Sequence, residues 1–235
     1  MDLSVVIPAF NESLRLGPTL QRVVDYLSQK GFSYEVLVVD DGSTDATAEV
    51  ALAFAPRGVR LLRQEVNRGK GAVVRIGVLA SVGKAVLLLD ADLSTPIEDL
   101  ERLLPRFPEA ELVLGSRAVE GSDILQHQPF YREMMGRTFN FIIQVLGVRG
   151  LRDTQCGFKL LDGEVARRLF AELRIQRFAY DVELVWLAQR RGYRVVEVGV
   201  RWTDSPASKV NPLTDSVRMF WDVLALRWRD FRSGP

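Results

Sequence analysis

One pattern constrains the fold more than any other. Along the first half of the chain, short and nearly unbroken apolar runs alternate with amphipathic stretches. Leu3–Pro8, Val36–Val39, Val59–Leu62, Ala85–Leu89 and Leu112–Leu114 read as strands. Strands with so few polar positions suit a sheet covered on both faces. Between them, helical periodicity falls near Pro18–Gln29, Ala46–Ala53, Gly71–Ser81 and Ile97–Phe107. The last carries a start signal: Thr95 as cap, Pro96 in the first turn, and Glu98 completing a capping box. Strands alternating with helices predict an α/β fold, with a mostly parallel central sheet flanked by helices and right-handed crossovers.

The second half reads differently. An amphipathic stretch, Tyr131–Leu146, leads to the polar turn Gly150–Thr154 and a strand-like run, Phe158–Leu161. Helical patterns follow near Gly163–Ala171 and Asp181–Arg190, then a strand-like segment, Tyr193–Val200, and the loop Thr203–Pro212. A closing helix places Leu213, Val217, Phe220, Leu224 and Trp228 at apolar spacing. No repeat, low-complexity tract or Gly/Ser linker divides the chain, so residues 1–235 read as one domain.

Composition narrows the function classes. Lys and Arg total 31 against 30 Asp and Glu, a net charge of +1. A protein that binds nucleic acid through charge shows a larger basic excess, so no nucleic-acid partner is expected. No apolar run reaches the ~18 residues of a membrane span, and Met1-Asp2-Leu3-Ser4 lacks the basic start of a secretory signal. The lone cysteine, Cys156, excludes an internal disulfide framework and reads as a small buried residue. The expectation is a cytoplasmic chain, at most peripheral on a membrane. The closing helix mixes Trp221 and Trp228 with Arg218, Arg227, Arg229 and Arg232. It suits a membrane interface, packing on its own domain, or contact with a second copy in a homo-oligomer.

In open α/β sheets, ligands bind beyond the carboxyl ends of the strands. Those ends read Pro8-Ala9-Phe10-Asn11-Glu12, Asp40-Asp41-Gly42-Ser43-Thr44-Asp45, Asp90-Ala91-Asp92 and Gly115-Ser116-Arg117. Acidic and polar groups thus gather at successive ends, as a nucleotide site requires. Side chains at i and i+2 of an extended segment point the same way. Asp90 and Asp92 therefore suit a hard divalent cation, Mg²⁺ or Mn²⁺, which in turn binds phosphate oxygens. Lys70 sits between Gly69 and Gly71 before an amphipathic helix, a favourable place for an anion. A Walker loop is excluded because Gly83-Lys84 is followed by Ala85, and a dinucleotide fingerprint because Val74 stands at the third glycine position.

These segments, Ser4–Glu12, Val38–Asp45, Asn67–Ala72 and Asp90–Asp92, resemble family-two glycosyltransferases with the GT-A fold. Gly115-Ser116-Arg117, Asp153–Lys159 and Asp181-Val182-Glu183-Leu184 resemble more narrowly the branch that transfers glucose or mannose to dolichyl or another polyprenyl phosphate. The resemblance runs from about Leu3 to Lys209 and divides the domain. It implies a Rossmann-like nucleotide-sugar half at 1–117, an acceptor half at 118–212 and a C-terminal helix at 213–235.

It further implies an inverting, metal-dependent hexosyltransferase using a UDP- or GDP-sugar. Pro8, Ala9, Asn11, Glu12, Asp40, Asp41, Lys70, Asp90 and Ala91 would hold the nucleotide. Asp92 and Asp90 would meet the metal, with Asp92 the direct contact and a catalytic residue. Asp181 is the other catalytic candidate, its action as a base left open, since a phosphate acceptor is largely dianionic near neutral pH. Arg117, Arg132, Asp153, Gln155, Glu183, Ser208 and Lys209 fall on the sugar and acceptor side. The family pattern has glycine before the Ser-Lys element, where this chain has Ala207. Two other outcomes keep the same residues: transfer to a glycan or protein hydroxyl, and nucleotide-sugar binding without catalysis.

Overall fold

The computed structural model describes residues 1–126, 144, 148, 150–204 and 212–233, with side chains of the last segment given for 217–228. Nine strands are found among them: β1 (Leu3–Ala9), β2 (Tyr34–Asp40), β3 (Val59–Arg63), β4 (Ala85–Leu88), β5 (Leu112–Ser116), β6 (Asp123–Gln126), β7 (Lys159–Asp162), β8 (Val195–Gly199) and β9 (Arg201–Thr203). The helices are α1 (Ser13–Ser28), α2 (Thr47–Ala53), α3 (Lys70–Ala80), α4 (Leu100–Leu103), α5 (Gly163–Glu172), α6 (Tyr180–Arg190) and α7 (Pro212–Ser233).

Seven strands form one sheet in the order β3-β2-β1-β4-β7-β5-β8, and β6 pairs with β9 in a second, two-stranded sheet. Within the large sheet only β7 is antiparallel to its neighbours. The chain winds outward from β1 through β2 to β3, then returns to β4 on the other side of β1. That reversal makes a switch point between β1 and β4, where the strand-end loops diverge and leave a crevice.

Alternation along each strand feeds two cores. Val6, Leu37, Val39, Val86 and Leu88 face one cluster, built with α3, α5 and α6. Val5, Ile7, Val36, Val38, Leu87 and Leu89 face the other, under α1 and the 97–103 stretch. Period-two side chains on a doubly covered sheet explain why both sets are apolar. On α1, Leu16, Leu20, Val23, Val24 and Leu27 form the buried stripe.

Two local expectations are corrected. The first helix starts at Ser13, so Pro18 lies inside it rather than in its opening turn. The stretch after Pro96 is a 3₁₀ turn (Ile97–Asp99), the short α4 and a second 3₁₀ run (Leu104–Glu109). Its capping box does not form. Pro96 occupies the cap without a side-chain bond, and Glu98 instead makes a two-pronged pair with Arg22 of α1 at 3.0 Å. A charge-assisted pair across elements has won over a local cap. The sequence also gave no sign of β6 and β9. Most of the amphipathic stretch Tyr131–Leu146 and most of the loop Thr203–Pro212 lie outside the described residues.

Leu87 is fully buried at the centre of the sheet. Leu87→Ala should lower unfolding free energy by about 2–5 kcal/mol, measured by chemical denaturation.

Candidate active site

The site is assembled at the carboxyl edge of the parallel strands. β7 runs the other way, so its first residue, Lys159, opposite Leu88 and Leu114, reaches the same edge. The loop before it delivers Asp153–Phe158 there.

The end of β2 is tied to the end of β1 by hydrogen bonds. Asp40 is fully buried, and its Oδ1 accepts from the backbone N–H and hydroxyl of Ser43. Ser43 Oγ in turn accepts the Asn11 N–H at 2.8 Å, and Asn11 Oδ1 accepts the Thr44 N–H at 2.8 Å. Asp40 Oδ2 is buried with no hydrogen-bond donor, though Arg63 Nε lies 3.3 Å away. Asp45 joins both helices, accepting from Ser13 N–H and from the Thr47 N–H and hydroxyl. Asn11 and Leu93 are the non-glycine residues with positive φ among the described residues, at 52° and 50°. They follow β1 and β4, the two strands of the switch point. Strained backbone held by its surroundings gathers at functional sites.

Asp90 follows β4 and Asp92 follows it in the same turn. Lys70 Nζ, at the start of α3, lies 2.5 Å from Asp90 Oδ1. Arg15 Nη1 lies 3.6 Å from Asp92 Oδ2, and Arg15 Nη2 pairs with Glu12 at 2.6 Å. Asp92 Oδ1 accepts the Ser94 N–H at 3.0 Å, and the Ala91 carbonyl accepts from Thr19 at 2.7 Å. Burial works to raise the Asp90 carboxyl, but Lys70, Lys159 and Arg117 outweigh it and hold it below the ordinary value. Burial likewise opposes the Lys70 charge, and Asp90 and Asp181 outweigh it. Gly157 makes room for this arrangement: a Cβ there would fall 1.9 Å from Asp90 Oδ2.

Asp181, in the first turn of α6, is buried and accepts from Lys159 Nζ at 2.6 Å. Burial pushes its carboxyl above the ordinary value, against the pull of Lys159 and Lys70. Burial also raises the neighbouring Tyr180 hydroxyl, so it stays protonated. Beyond β5, Arg117 makes a two-pronged pair with Asp153 at 2.7 and 2.9 Å and lies 5.4 Å over the Trp202 ring. Burial opposes the Asp153 charge, yet Arg117 dominates and holds its carboxyl at about 2. Glu197 supports that loop by accepting the N–H groups of Arg152 and Asp153 at 2.7 Å each.

The structure thus gathers Asp90, Lys70, Asp181 and Arg117 into one electrostatic group, with Asp92 beside it. Three further predicted residues make contacts within the protein. Asp41 accepts the N–H groups of Arg68 and Gly69 at 2.8 Å each, fixing the loop before α3. Glu183 is buried and accepts from Arg174 and Ile175 N–H at 2.9 and 2.7 Å. Its carboxylate anchors the loop before α6, since i and i+2 on a helix point to different sides. Gln155 donates its backbone N–H to Asp153 Oδ1 at 3.1 Å, within the same turn. Arg132, Ser208 and Lys209 lie outside the described residues. Sequence reasoning missed Lys159 and Arg15. Lys159 stands inside an otherwise apolar strand run, which is the signal that could have found it.

Residues 4–170 match the family model for glycosyl transferase family 2. The chain belongs to glycosyltransferase family 2. This glycosyltransferase is 39% identical over 242 residues to dolichyl-phosphate β-glucosyltransferase of Dictyostelium discoideum, covering 97% of this chain and 74% of that one. The mouse protein of that name is 40% identical over 244 residues, covering 97% and 75%. The Saccharomyces cerevisiae protein is 31% identical over 246 residues, covering 96% and 74%. Among solved structures, mannosyl-3-phosphoglycerate synthase from Rubrobacter xylanophilus superposes with a TM-score of 0.72 at 18% identity, covering 99% of this chain and 74% of that one. Glucosyl-3-phosphoglycerate synthase from Mycobacterium tuberculosis, crystallised with Mn²⁺, UDP-glucose and phosphoglyceric acid, gives 0.69 at 19%, covering 95% and 77%. The shared fold is GT-A.

The donor set of this glycosyltransferase fits a hard cation in part. Asp90 and Asp92 offer carboxylate oxygens suited to Mg²⁺ or Mn²⁺. No group of three or more potential metal ligands gathers among the described residues. Two carboxylates fit a cation that completes its shell with water and substrate phosphates rather than one caged by protein.

Two outcomes test the geometry. Gly157→Ala forces Asp90 to move and should cost about 1–3 kcal/mol. A double-mutant cycle with Asp90→Ala should return coupling of similar size, read from unfolding curves. The second concerns acid. Asp153 has its folded pKa held at about 2, below the ordinary 3.8. Its pairing with Arg117 therefore stabilises the fold above about pH 4 and is lost as pH falls toward 2. Over that window the parent protein should lose on the order of 2 kcal/mol more stability than Asp153→Asn, measured by urea unfolding at stepped pH.

Proposed function

We propose that this glycosyltransferase moves glucose from UDP-glucose to a dolichyl or related polyprenyl phosphate, inverting the anomeric centre. The observation that carries the reading is the likeness, over nearly all of this chain and 74–75% of the relatives' length, to dolichyl-phosphate β-glucosyltransferases at 31–40% identity. The acidic crevice at the β1/β4 switch point supports the nucleotide side. Asp40 Oδ2, buried and without a donor, offers an acceptor for a base N–H. Asn11 and Glu12 stand on the adjoining loop, with Pro8 and Ala9 at the end of β1.

Asp92 and Asp90 would hold Mg²⁺ or Mn²⁺, whose charge supplies stabilisation to the departing diphosphate. Lys70 is placed to transfer its charge from Asp90 toward diphosphate oxygens, at a helix start that already favours anions. Arg117, oriented by Asp153 and Trp202, presents a guanidinium to the acceptor phosphate. Arg132, Ser208 and Lys209 are assigned to the same phosphates from sequence. The phosphate acceptor attacks the anomeric carbon as its own anion, so positioning governs the rate more than proton removal. Asp181 then orients the sugar or the acceptor.

The lipid acceptor implies a membrane surface. No helix among the described residues is long and apolar enough to cross a membrane. Met219, Val223 and Leu226 of α7 are buried, while Val217, Trp221 and Trp228 are exposed beside Arg218 and Arg227. That outer face suits the interface of a bilayer on the cytosolic side.

With UDP-[¹⁴C]glucose, Mn²⁺ and polyprenyl phosphate in detergent, a labelled lipid should form, and Asp92→Ala should lower kcat at least about 100-fold. Absence of labelled lipid with any UDP- or GDP-hexose overturns the acceptor assignment.

A further inference from the structure

Lys159 stands where a sheet ordinarily takes an apolar side chain. It lies on β7 between β4 and β5 and is fully buried. Its neighbours alternate by face: Phe158 and Leu160 join one core, and Leu161 joins the other, which also contains Tyr180. Parity puts Lys159 on the Leu161 side, toward α6. Burying an ammonium is costly unless it is paired, and a well-packed apolar residue in its place is often as stable or more so. A fold that needed only packing would gain nothing from a lysine here.

The side chain has specific partners. Nζ donates to Asp181 Oδ1 at 2.6 Å and to the Cys156 carbonyl. The second bond ties the ammonium to the loop that carries Gly157, against which Asp90 sits. One cation therefore spans the Asp181 helix start and the Asp90 seat. The charged and titratable groups coupled to Asp181 come from every side: Lys159 from β7, Lys70 from α3, Asp90 from the β4 end and Tyr180 from α6 itself.

Resting on the transferase reading above, we propose that Lys159 is a positioning residue for glycosyl transfer, clamping the Asp181 carboxylate in one orientation from inside the sheet. It acts through Asp181 and the 156–157 loop. Its removal should therefore affect the chemical step more than donor binding.

The test compares Lys159→Met, Lys159→Gln and Lys159→Arg with the parent enzyme. Gln keeps hydrogen-bond donors without the charge, and it carries the test should Met fail to fold by circular dichroism. Transfer to polyprenyl phosphate and slow hydrolysis of UDP-glucose are both followed. For Met and Gln, kcat should fall at least about 100-fold while donor KM stays within about threefold. Loss of the adjacent positive charge also lets Asp181 protonate at higher pH, so the acidic limb of UDP-glucose hydrolysis, where no acceptor phosphate titrates, should move up. Lys159→Arg should recover at least about tenfold over Met. A folded Lys159→Gln with parental kcat and an unmoved acidic limb of hydrolysis overturns the proposal. A parent enzyme that hydrolyses UDP-glucose but forms no lipid product overturns the acceptor reading alone, and the Lys159 comparison is then decided on hydrolysis.

Discussion

Lys70, Asp90, Lys159 and Asp181 meet at the carboxyl edge of the sheet, and the rest of the site depends on their mutual compensation. Each comes from a different element: the start of α3, the end of β4, the start of β7 and the first turn of α6. Lys159 and Asp181 are buried and Lys70 and Asp90 partly so, and an isolated charge in a packed interior loses its hydration without replacement. Together they alternate in sign, and each makes the next tolerable. Gly157 supplies the space and Gly71 the close approach, a Cβ at Gly71 meeting the Ile175 carbonyl and Tyr180 at 2.7 Å. This edge is therefore also a joint that fixes four elements relative to one another.

Much of this was legible in the sequence, because the strongest signals are local. The five N-terminal strands fall within about two residues of their expected bounds, since a sheet buried on both faces leaves unbroken apolar runs. The acidic strand ends were legible for the same reason. What was not legible is competition between distant partners. Glu98 could have capped its own turn, but Arg22 from α1 claims it. Asp41 and Glu183 are legible as acids near the strand ends, but the backbone N–H groups they accept are not. β9 is only three residues long, and its pairing with β6 depends on how the loops fold back.

The comparisons divide fold from acceptor. The two phosphoglycerate synthases share the GT-A frame at 18% and 19% identity, and a frame shared at that distance does not select what receives the sugar. The function proposed above puts acceptor choice beyond the strand ends, in the Arg117–Asp153 pair and the segments around it. Trp202 of β9 lies against Arg117, so the small second sheet packs onto that pair.

The reversed strand β7 has a consequence for how the molecule reaches this state. β1 to β4 can pair among themselves as soon as they are made. β7 enters between β4 and β5 only after the long segment from Leu88 to Lys159 has closed. Closing such a loop costs chain entropy before any contact repays it, so non-local pairing tends to form late. Lys159, Gly157 and Asp153 all travel with β7, so their arrival at the carboxyl edge waits on that closure. The residues proposed for transfer therefore come together only when β7 docks between β4 and β5, with β8 still to be added beyond β5.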